Sequence, residues 1–183
     1  MLAEADIGLP KGGFSDRQHL ASGMQIRKAK GSDAPAIAAI ILPIICEGTT
    51  YALDPDMSET QALAYWMGPD KETFVAEEDG VILGTYYMRP NQAGGGRHVC
   101  NCGYMTHTAA TGRGVARRMC EHSLEYARSQ GYRAMQFNFV VSTNERAVQL
   151  WRSLGFEIVG RLPAAFQHPI HGYVDALVMY RIL

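Results

Sequence analysis

The chain has 183 residues, of which 47% are hydrophobic and 19% are charged, and its formal net charge is −1 at pH 7. This length and composition are typical of a globular protein with a real core, and they predict a single domain over residues 23–183. Because the net charge is close to zero, the composition gives no reason to expect nucleic acid or another polyanion as a partner.

The first 22 residues carry no periodic pattern and contain Gly12, Gly13 and several charges. We therefore predict a flexible N-terminal extension over residues 1–22. Glu4 and Asp6 stand where a secretory signal would be positive, and no apolar segment follows, so we expect a cytoplasmic protein. The longest apolar run, residues 34–46, is too short to cross a bilayer, and no membrane partner is expected.

A strand over residues 25–29 opens the domain, and Ser32 or Asp33 can cap the helix that follows. The apolar stripe of this helix recurs at helical spacing over Ile37, Ile40, Ile41, Ile44 and Ile45. Pro43 lies within the stripe and should kink or end the helix. After a loop over residues 47–56, a second helix should begin at Ser58.

Residues 72–78 and 81–88 are rich in β-forming side chains, and Asp79-Gly80 between them is a strong hairpin signal. A further strand is predicted over residues 99–106. A short turn containing two glycines follows it and opens a helix that should run to about Gln130.

The next strand is predicted over residues 134–141, where alternation places Gln136, Asn138 and Val140 on one side. Asn144 or Thr143 should cap the helix after it, and Gly155 should end that helix. Strands over residues 157–161 and 173–181 complete the chain. The loop predicted between them, residues 162–172, is long enough to act as a lid.

The turn that opens the third helix predicts an anion site. Two glycines leave little side chain over it, so backbone N–H groups can converge on an anion at the positive end of the helix dipole. Arg113, Arg117 and Arg118 add positive charge at the same end. The alternative is an ordinary strand-to-helix turn. The residues concerned are Thr111, Gly112, Arg113, Gly114, Val115 and Ala116.

A second motif lies about thirty residues downstream, at Asn144, Ala147, Leu150, Gly155 and Phe156. In their order and spacing the two motifs resemble those of the GNAT acetyltransferase superfamily, over residues 26–183. Thr111 stands where that superfamily usually has Arg or Gln, and Trp151 replaces its usual Tyr. The resemblance implies an α/β fold with a mixed, mostly antiparallel, splayed sheet flanked by helices.

The resemblance also implies acetyl-CoA as the acetyl donor. By that resemblance Met105 and Thr106 should offer backbone groups to the pantetheine, and residues 111–116 should bind the pyrophosphate. Asn144 should reach the pantetheine or the backbone beside it, and Trp151 should pack in the core or against the thiol end. Glu47, Thr50 and Tyr51, in the loop between the first two helices, become candidate contacts of the acceptor.

Many members of the superfamily use the Tyr that Trp151 replaces to protonate the leaving thiolate, and an indole cannot do this. Either another group acts as the acid, or the thiolate leaves unassisted. Asn101 and Asn138 are the candidate catalytic residues, because each sits in mid-strand, where Asn is depleted. One interpretation is that they pair with backbone groups freed by the splay. The other is that they hold the substrate, as in the yeast enzymes that N-acetylate proline analogues such as azetidine-2-carboxylate, which this pattern resembles.

We thus expect acetyl-CoA-dependent N-acetylation of a small amine, such as an amino or imino acid or its analogue. The alternatives are a peptide or protein N-terminal acetyltransferase and a non-catalytic acyl-CoA-binding sensor. An α-amine, with a pKa of about 8, needs less help from a base than a lysine at about 10.4. The expected partners are the small-molecule amine and a second copy of the chain in a homodimer. No metal site is expected, because no ligand spacing is present.

Overall fold

Seven strands form one sheet in the computed structural model, which describes residues 23–183; the predicted extension over residues 1–22 lies outside the described residues. Across the sheet the order is β1-β2-β3-β4-β5-β7-β6. All neighbours are antiparallel except β4 and β5, which confirms the prediction of a mixed, mostly antiparallel sheet. The strands are β1 (Gln25–Lys28), β2 (Glu72–Glu78), β3 (Val81–Pro90), β4 (Val99–Thr106), β5 (Ala134–Val141), β6 (Glu157–His168) and β7 (Gly172–Ile182).

Helices cover both faces of this sheet. Tyr86 and Tyr87 are neighbours on β3 and so point to opposite faces. Tyr87 packs in a core with the first two helices, and Tyr86 packs in a core with the last two. None of these helices, all within residues 23–183, is long and apolar enough to cross a membrane. They are α1 (Ala34–Glu47), α2 (Glu59–Trp66), α3 (Val115–Ser129) and α4 (Glu145–Ser153).

The two parallel strands separate soon after they begin. β4 and β5 pair only at Val99 with Ala134 and at Cys100 with Met135. Beyond these pairs both strands continue for several residues without pairing with each other, so a gap opens in the middle of the sheet. The predicted splay is thereby confirmed, and the gap leaves backbone groups of both strands in need of other partners.

A bulge in β5 changes which residues face the core. Phe137 pairs with Met179 and Val140 pairs with Leu177. Between these two pairs β5 advances by three residues while β7 advances by only two, so β5 contains one extra residue. The extra residue returns Val140 to the side of Phe137, and both pack in the core with α3 and α4. The prediction that Val140 shares a side with Gln136 and Asn138 is therefore wrong.

The first helix does not end at its proline. α1 continues through Pro43 to Glu47 and ends at Gly48, whose φ is +65°. The isoleucine stripe explains why, since Ile41 and Ile45, on either side of the proline, are fully or almost fully buried. Packing of such a face contributes more to a helix than the one backbone bond that proline removes.

The predicted lid is part of a strand pair. β6 extends to His168, which pairs with Gly172 on β7, so no free loop spans residues 162–172. The pairing shifts between Leu162 and Phe166, where β6 has more residues than the facing stretch of β7. Ala164 adopts a φ of +49° there, and its N–H donates to Asp175 Oδ1 at 2.9 Å. The lid prediction is therefore wrong. The bulge leaves Pro163 and its neighbours unpaired while the strands on either side of them stay in one hairpin.

Candidate active site

The glycine turn lies open at the N-terminus of α3. Gly112 and Gly114 have φ values of +85° and +77°, which side chains other than glycine rarely adopt. A Cβ added at Gly114 would meet no protein atom within 4 Å, so the space beside it is empty. The first N–H groups of a helix have no partner within it, and α3 begins at Val115, directly after Gly114, so the positive end of its dipole lies at this turn. The turn can therefore receive an anion.

Arginines surround this turn, but two of them already have partners. Arg113 forms an ion pair with Glu78, and Arg117 donates to Ser153 Oγ at 2.7 Å. Arg146, on α4, was not among the residues singled out from the sequence. Its Nη2 lies 3.7 Å from the position of a Cβ on Gly112, so α4 brings a further positive charge to the turn.

Val115 anchors the turn to the sheet. Its side chain is 1% exposed and lies close to Gly84 on β3, where an added Cβ would meet Val115 Cγ1 at 2.8 Å. Because this side chain is buried, Val115 can offer only its backbone N–H to a ligand. The glycine at position 84 lets α3 approach the strand closely and so fixes where the helix begins.

Tyr51 occupies part of the open edge of β4. Its hydroxyl accepts from the N–H of Tyr104 at 2.8 Å and donates to the C=O of Tyr104 at 2.9 Å. Alternate residues of an antiparallel strand direct their backbone groups away from the partner, so Thr106 also faces the gap. Met105 instead pairs with Thr85 and buries its side chain in the core with α1. Of the two predicted backbone donors, the geometry thus favours Thr106.

A cavity of about 330 Å³ opens beside this gap. It brings together the predicted residues Asn101, Asn138, Asn144 and Trp151, as well as Thr50 and Tyr51, whereas Glu47 and residues 105–116 do not line it. Sequence reasoning missed several residues of its wall, although the pairing of β3 with β4 could have indicated those on β3. The wall residues not singled out from the sequence include Tyr65, Tyr87, Arg89, Gly103, Phe137 and Phe139.

The two asparagines have different surroundings. Asn101 is 6% exposed, and its Nδ2 donates to the C=O of Gln136 at 3.0 Å, just beyond the last pair of β4 with β5. Asn138 is exposed; its Oδ1 accepts from Gln136 Nε2 at 2.8 Å, and its Nδ2 donates to Asn91 Oδ1 at 2.7 Å. Asn101 therefore holds the two strands together, whereas Asn138 belongs to a chain of amides at the cavity surface.

Trp151 packs in the core, which is one of the two positions considered for it from the sequence. It is 8% exposed, and its ring centroid lies 5.0 Å from that of Tyr104 and 5.1 Å from that of Phe137. Asn144 caps α4, and its side chain accepts from the N–H of Ala147 at 3.3 Å. Both Trp151 and Asn144 line the cavity.

No acidic side chain, histidine or lysine is among the residues that line the cavity, all of which lie within the described chain. Three of its phenols keep their protons, because burial raises the pKa of Tyr51, Tyr87 and Tyr104. A phenol that keeps its proton can donate a hydrogen bond but cannot remove a proton from an amine. The wall of the cavity therefore supplies hydrogen-bond donors and amides rather than a general base.

Comparison with known proteins agrees with this geometry. The model of the acetyltransferase (GNAT) family matches residues 41–156. N-acetyltransferase aca1 of Schizosaccharomyces pombe is 28% identical over 148 residues, which are 72% of this chain and 71% of that protein. The L-amino acid N-acyltransferase MnaT of Escherichia coli is 25% identical over 144 residues, with 76% of this chain and 83% of that protein covered.

Among solved structures, a GCN5-related N-acetyltransferase from Kribbella flavida superposes with a TM-score of 0.83 and 46% sequence identity. The match covers 87% of this chain and 98% of that one. The region matched by the family model contains both the glycine turn and the motif on α4, which confirms the resemblance seen in the sequence.

Proposed function

Because the chain belongs to the acetyltransferase (GNAT) family, we propose that it transfers the acetyl group of acetyl-CoA to a small amine, such as an amino or imino acid or an analogue. The observation that carries the proposal is the cavity of about 330 Å³ at the gap between β4 and β5, which has room for a small acceptor. The relative MnaT, an L-amino acid N-acyltransferase, supports an amino acid as the acceptor.

The residues present fit acetyl-CoA. The open turn at residues 111–116 would hold the pyrophosphate through backbone N–H groups, with Arg146 nearby. Thr106 would pair with the pantetheine along the free edge of β4, and Asn144 and Trp151 would lie at the cavity end of that arm. When bound there, acetyl-CoA supplies the acetyl thioester that the acceptor attacks.

The chain itself would position the amine and keep it next to the gap. Asn101 and Asn138 present amides at the cavity wall, and the Tyr51 hydroxyl is held on the backbone of Tyr104 at the edge of β4. The wall holds no carboxylate, histidine or lysine that could act as a base, so we expect the amine to lose its proton to water before or during the reaction. The terminal α-amine of a peptide has a pKa of about 8, and the amine of a free amino or imino acid is more basic because its own carboxylate stabilises the ammonium, so its acetylation should be faster at higher pH.

A panel of acceptors tests the proposal. Free CoA would be measured with amino and imino acids, with peptides that begin with the same residues, and with no amine. We expect release of CoA with one or more free amino or imino acids and a lower kcat/KM for the matching peptides. A preference for the peptides would identify an N-terminal acetyltransferase. Binding of acetyl-CoA without any release would identify a non-catalytic sensor.

The pH dependence of the rate should follow the acceptor. Because the cavity wall holds no titrating base, kcat/KM should rise with pH until the acceptor ammonium is deprotonated, and an acceptor with a lower amine pKa should reach its plateau at a correspondingly lower pH. The measurement is kcat/KM against pH for two acceptors of different amine pKa. An inflection at the same pH for both acceptors would instead reveal a base on the protein.

Replacing Trp151 should have a small effect. Trp151→Phe keeps a ring between Tyr104 and Phe137, and the indole has no acidic proton to give to a thiolate. We expect kcat to stay within about tenfold of the wild-type value, and Trp151→Ala to lower the midpoint of thermal unfolding. A loss of kcat beyond about a thousandfold in a folded Trp151→Phe protein that still binds acetyl-CoA would contradict this role.

A homodimer and a cytoplasmic location also belong to this proposal. β6 is an edge strand of the sheet, and Ile158, Val159 and Leu162 on it are 42%, 58% and 40% exposed. An exposed apolar edge strand can pair with a second copy of the chain. Light scattering of the purified protein would give the mass of the assembly.

A further inference from the structure

Arg89 is the one charged side chain among the residues that line the cavity, all of which fall within residues 23–183. The cavity therefore presents a positive charge to any acceptor that enters it. This charge disfavours a molecule whose only charge is an ammonium, and it favours a molecule that also carries a carboxylate.

The sheet fixes the position of Arg89. It pairs with Asn101 across β3 and β4, so the two side chains stand beside each other on the cavity face. Two residues earlier on that face, Tyr87 is 5% exposed and lies over Gly103, where an added Cβ would come within 2.7 Å of its ring. Strand pairing and a buried ring thus hold the guanidinium next to Asn101.

The Nε of Arg89 is buried and has no hydrogen-bond partner in the described part of the chain. Nη1 reaches Asp70 Oδ2 only at 3.4 Å, whereas Lys71 Nζ lies 3.0 Å from Oδ1 and 3.1 Å from Oδ2. The hydrogen bond from Lys71, with a smaller effect of Arg89, lowers the pKa of Asp70. Two cations therefore share one carboxylate, and Asp70 does not fully neutralise Arg89.

A buried N–H without an acceptor costs about 1–3 kcal/mol, so a group of this kind calls for an explanation. The Arg89 side chain as a whole is 34% exposed, and Nη1 makes only the long contact with Asp70. A guanidinium binds a carboxylate through two parallel N–H···O hydrogen bonds, either at its two terminal nitrogens or along the side-on edge that Nε and Nη2 form.

We propose that Arg89 binds the carboxylate of the acceptor. The acceptor is then a free amino or imino acid, and amides, simple alkylamines and peptide N-termini, whose carboxylate is absent or distant, are poor substrates. This inference rests on the proposed acetyl transfer to a small amine, and it adds the group by which that amine is recognised. Arg89 acts here as a specificity-determining residue.

Matched acceptors test it: L-proline against L-prolinamide, and azetidine-2-carboxylate against its carboxamide. We expect the wild-type protein to prefer the acids by about tenfold or more in kcat/KM, with each value expressed for the neutral amine, because an amino acid and its amide differ in amine pKa. Arg89→Met should raise KM for the acids by about tenfold or more while it changes kcat/KM for the amides by less than about twofold. Arg89→Lys should fall between the two, since it keeps the charge but loses the side-on edge.

Arg97→Met is the matched control, because Arg97 is exposed and does not line the cavity, and it should leave all four acceptors unchanged. The Kd for acetyl-CoA should be the same in every variant. Equal use of acid and amide by the wild-type protein, or an equal loss for both with Arg89→Met, overturns the inference. If Arg89→Met does not fold, Arg89→Lys is compared with Arg97→Met instead. A loss of kcat/KM for the acids alone in Arg89→Lys supports the inference, and an equal loss for acids and amides overturns it.

If none of the four acceptors is acetylated, the proposed function fails, and binding decides the inference separately. Calorimetry with azetidine-2-carboxylate in the presence of CoA should then show heat of binding with the wild-type protein and a loss of about tenfold or more in affinity with Arg89→Met. Equal binding by the two proteins, or no binding by either, overturns it.

Discussion

Asn138→Ala is expected to lower kcat/KM for the amine by roughly ten- to a hundredfold, because an amide that contacts the acceptor leaves its partner unpaired when it is removed, at a cost of about 1–3 kcal/mol. Asn138 lies at the cavity surface, and its own contacts are with two other amides. Since it is exposed, its removal should change the midpoint of thermal unfolding little. Affinity for acetyl-CoA should change much less than the amine kinetics.

Asn101→Ala should reduce amine kinetics to a similar extent, and it should also destabilise the protein. Asn101 is buried and donates to the C=O of Gln136, which would lose this donor at a cost of about 1–3 kcal/mol. Steady-state kinetics and urea unfolding of both variants separate the two effects. Asn91→Ala serves as the control, because Asn91 contacts Asn138 but does not line the cavity.

The kinetic role of these asparagines has a clear contrary outcome. If both variants lose stability and keep the amine kinetics of the wild-type protein, their only role is structural, with Asn101 pairing with the backbone of β5 and Asn138 with neighbouring amides. If Asn91→Ala is as slow as Asn138→Ala, the rate depends on the hydrogen-bonded arrangement of these amides and not on direct contact between Asn138 and the acceptor.

Gly114→Asp should raise the Kd for acetyl-CoA by about tenfold or more, or about 1.4 kcal/mol. A side chain at this position would project into the open space beside the turn, and a carboxylate there would repel the pyrophosphate. Isothermal calorimetry of the folded variant gives the Kd directly.

Gly131→Asp is the control for backbone strain. Gly131 has a φ of +83°, close to the +77° of Gly114, and a Cβ there would likewise meet no atom within 4 Å. It lies just beyond the C-terminal end of the helix whose N-terminus opens at Gly114, so the same strain and charge should leave acetyl-CoA binding unchanged. Unaltered binding by Gly114→Asp, or an equal loss in both variants, would remove the turn from the binding site.

Elements whose signals are local could be predicted from the sequence. Asp79 and Gly80 both adopt a positive φ, which is the conformation that this pair of residues favours in a tight hairpin. Ser58 caps α2, and its side chain accepts from the N–H of Gln61 at 3.3 Å, so this helix begins where the sequence predicted. The glycine turn and the motif on α4 predicted the family for the same reason, since both depend on short stretches of chain.

Features that depend on contacts between distant parts of the chain could not be predicted. The bulge in β5 is set by its pairing with β7, and the long pairing of β6 with β7 takes the place of the loop predicted over residues 162–172. Tyr51 lies fifty-three positions before Tyr104, whose backbone C=O and N–H form hydrogen bonds with the Tyr51 hydroxyl. The register that sets Arg89 beside Asn101 likewise becomes visible only when β3 and β4 are paired.

The most direct measurement of the central claim is amine-dependent release of free CoA, followed together with the mass of the acceptor. With acetyl-CoA and a free amino or imino acid, we predict release of thiol only when both substrates are present, and an acceptor heavier by one acetyl group for each CoA released. Acetyl-CoA that binds by calorimetry but gives no thiol with any amine would contradict catalysis and leave only an acyl-CoA-binding protein.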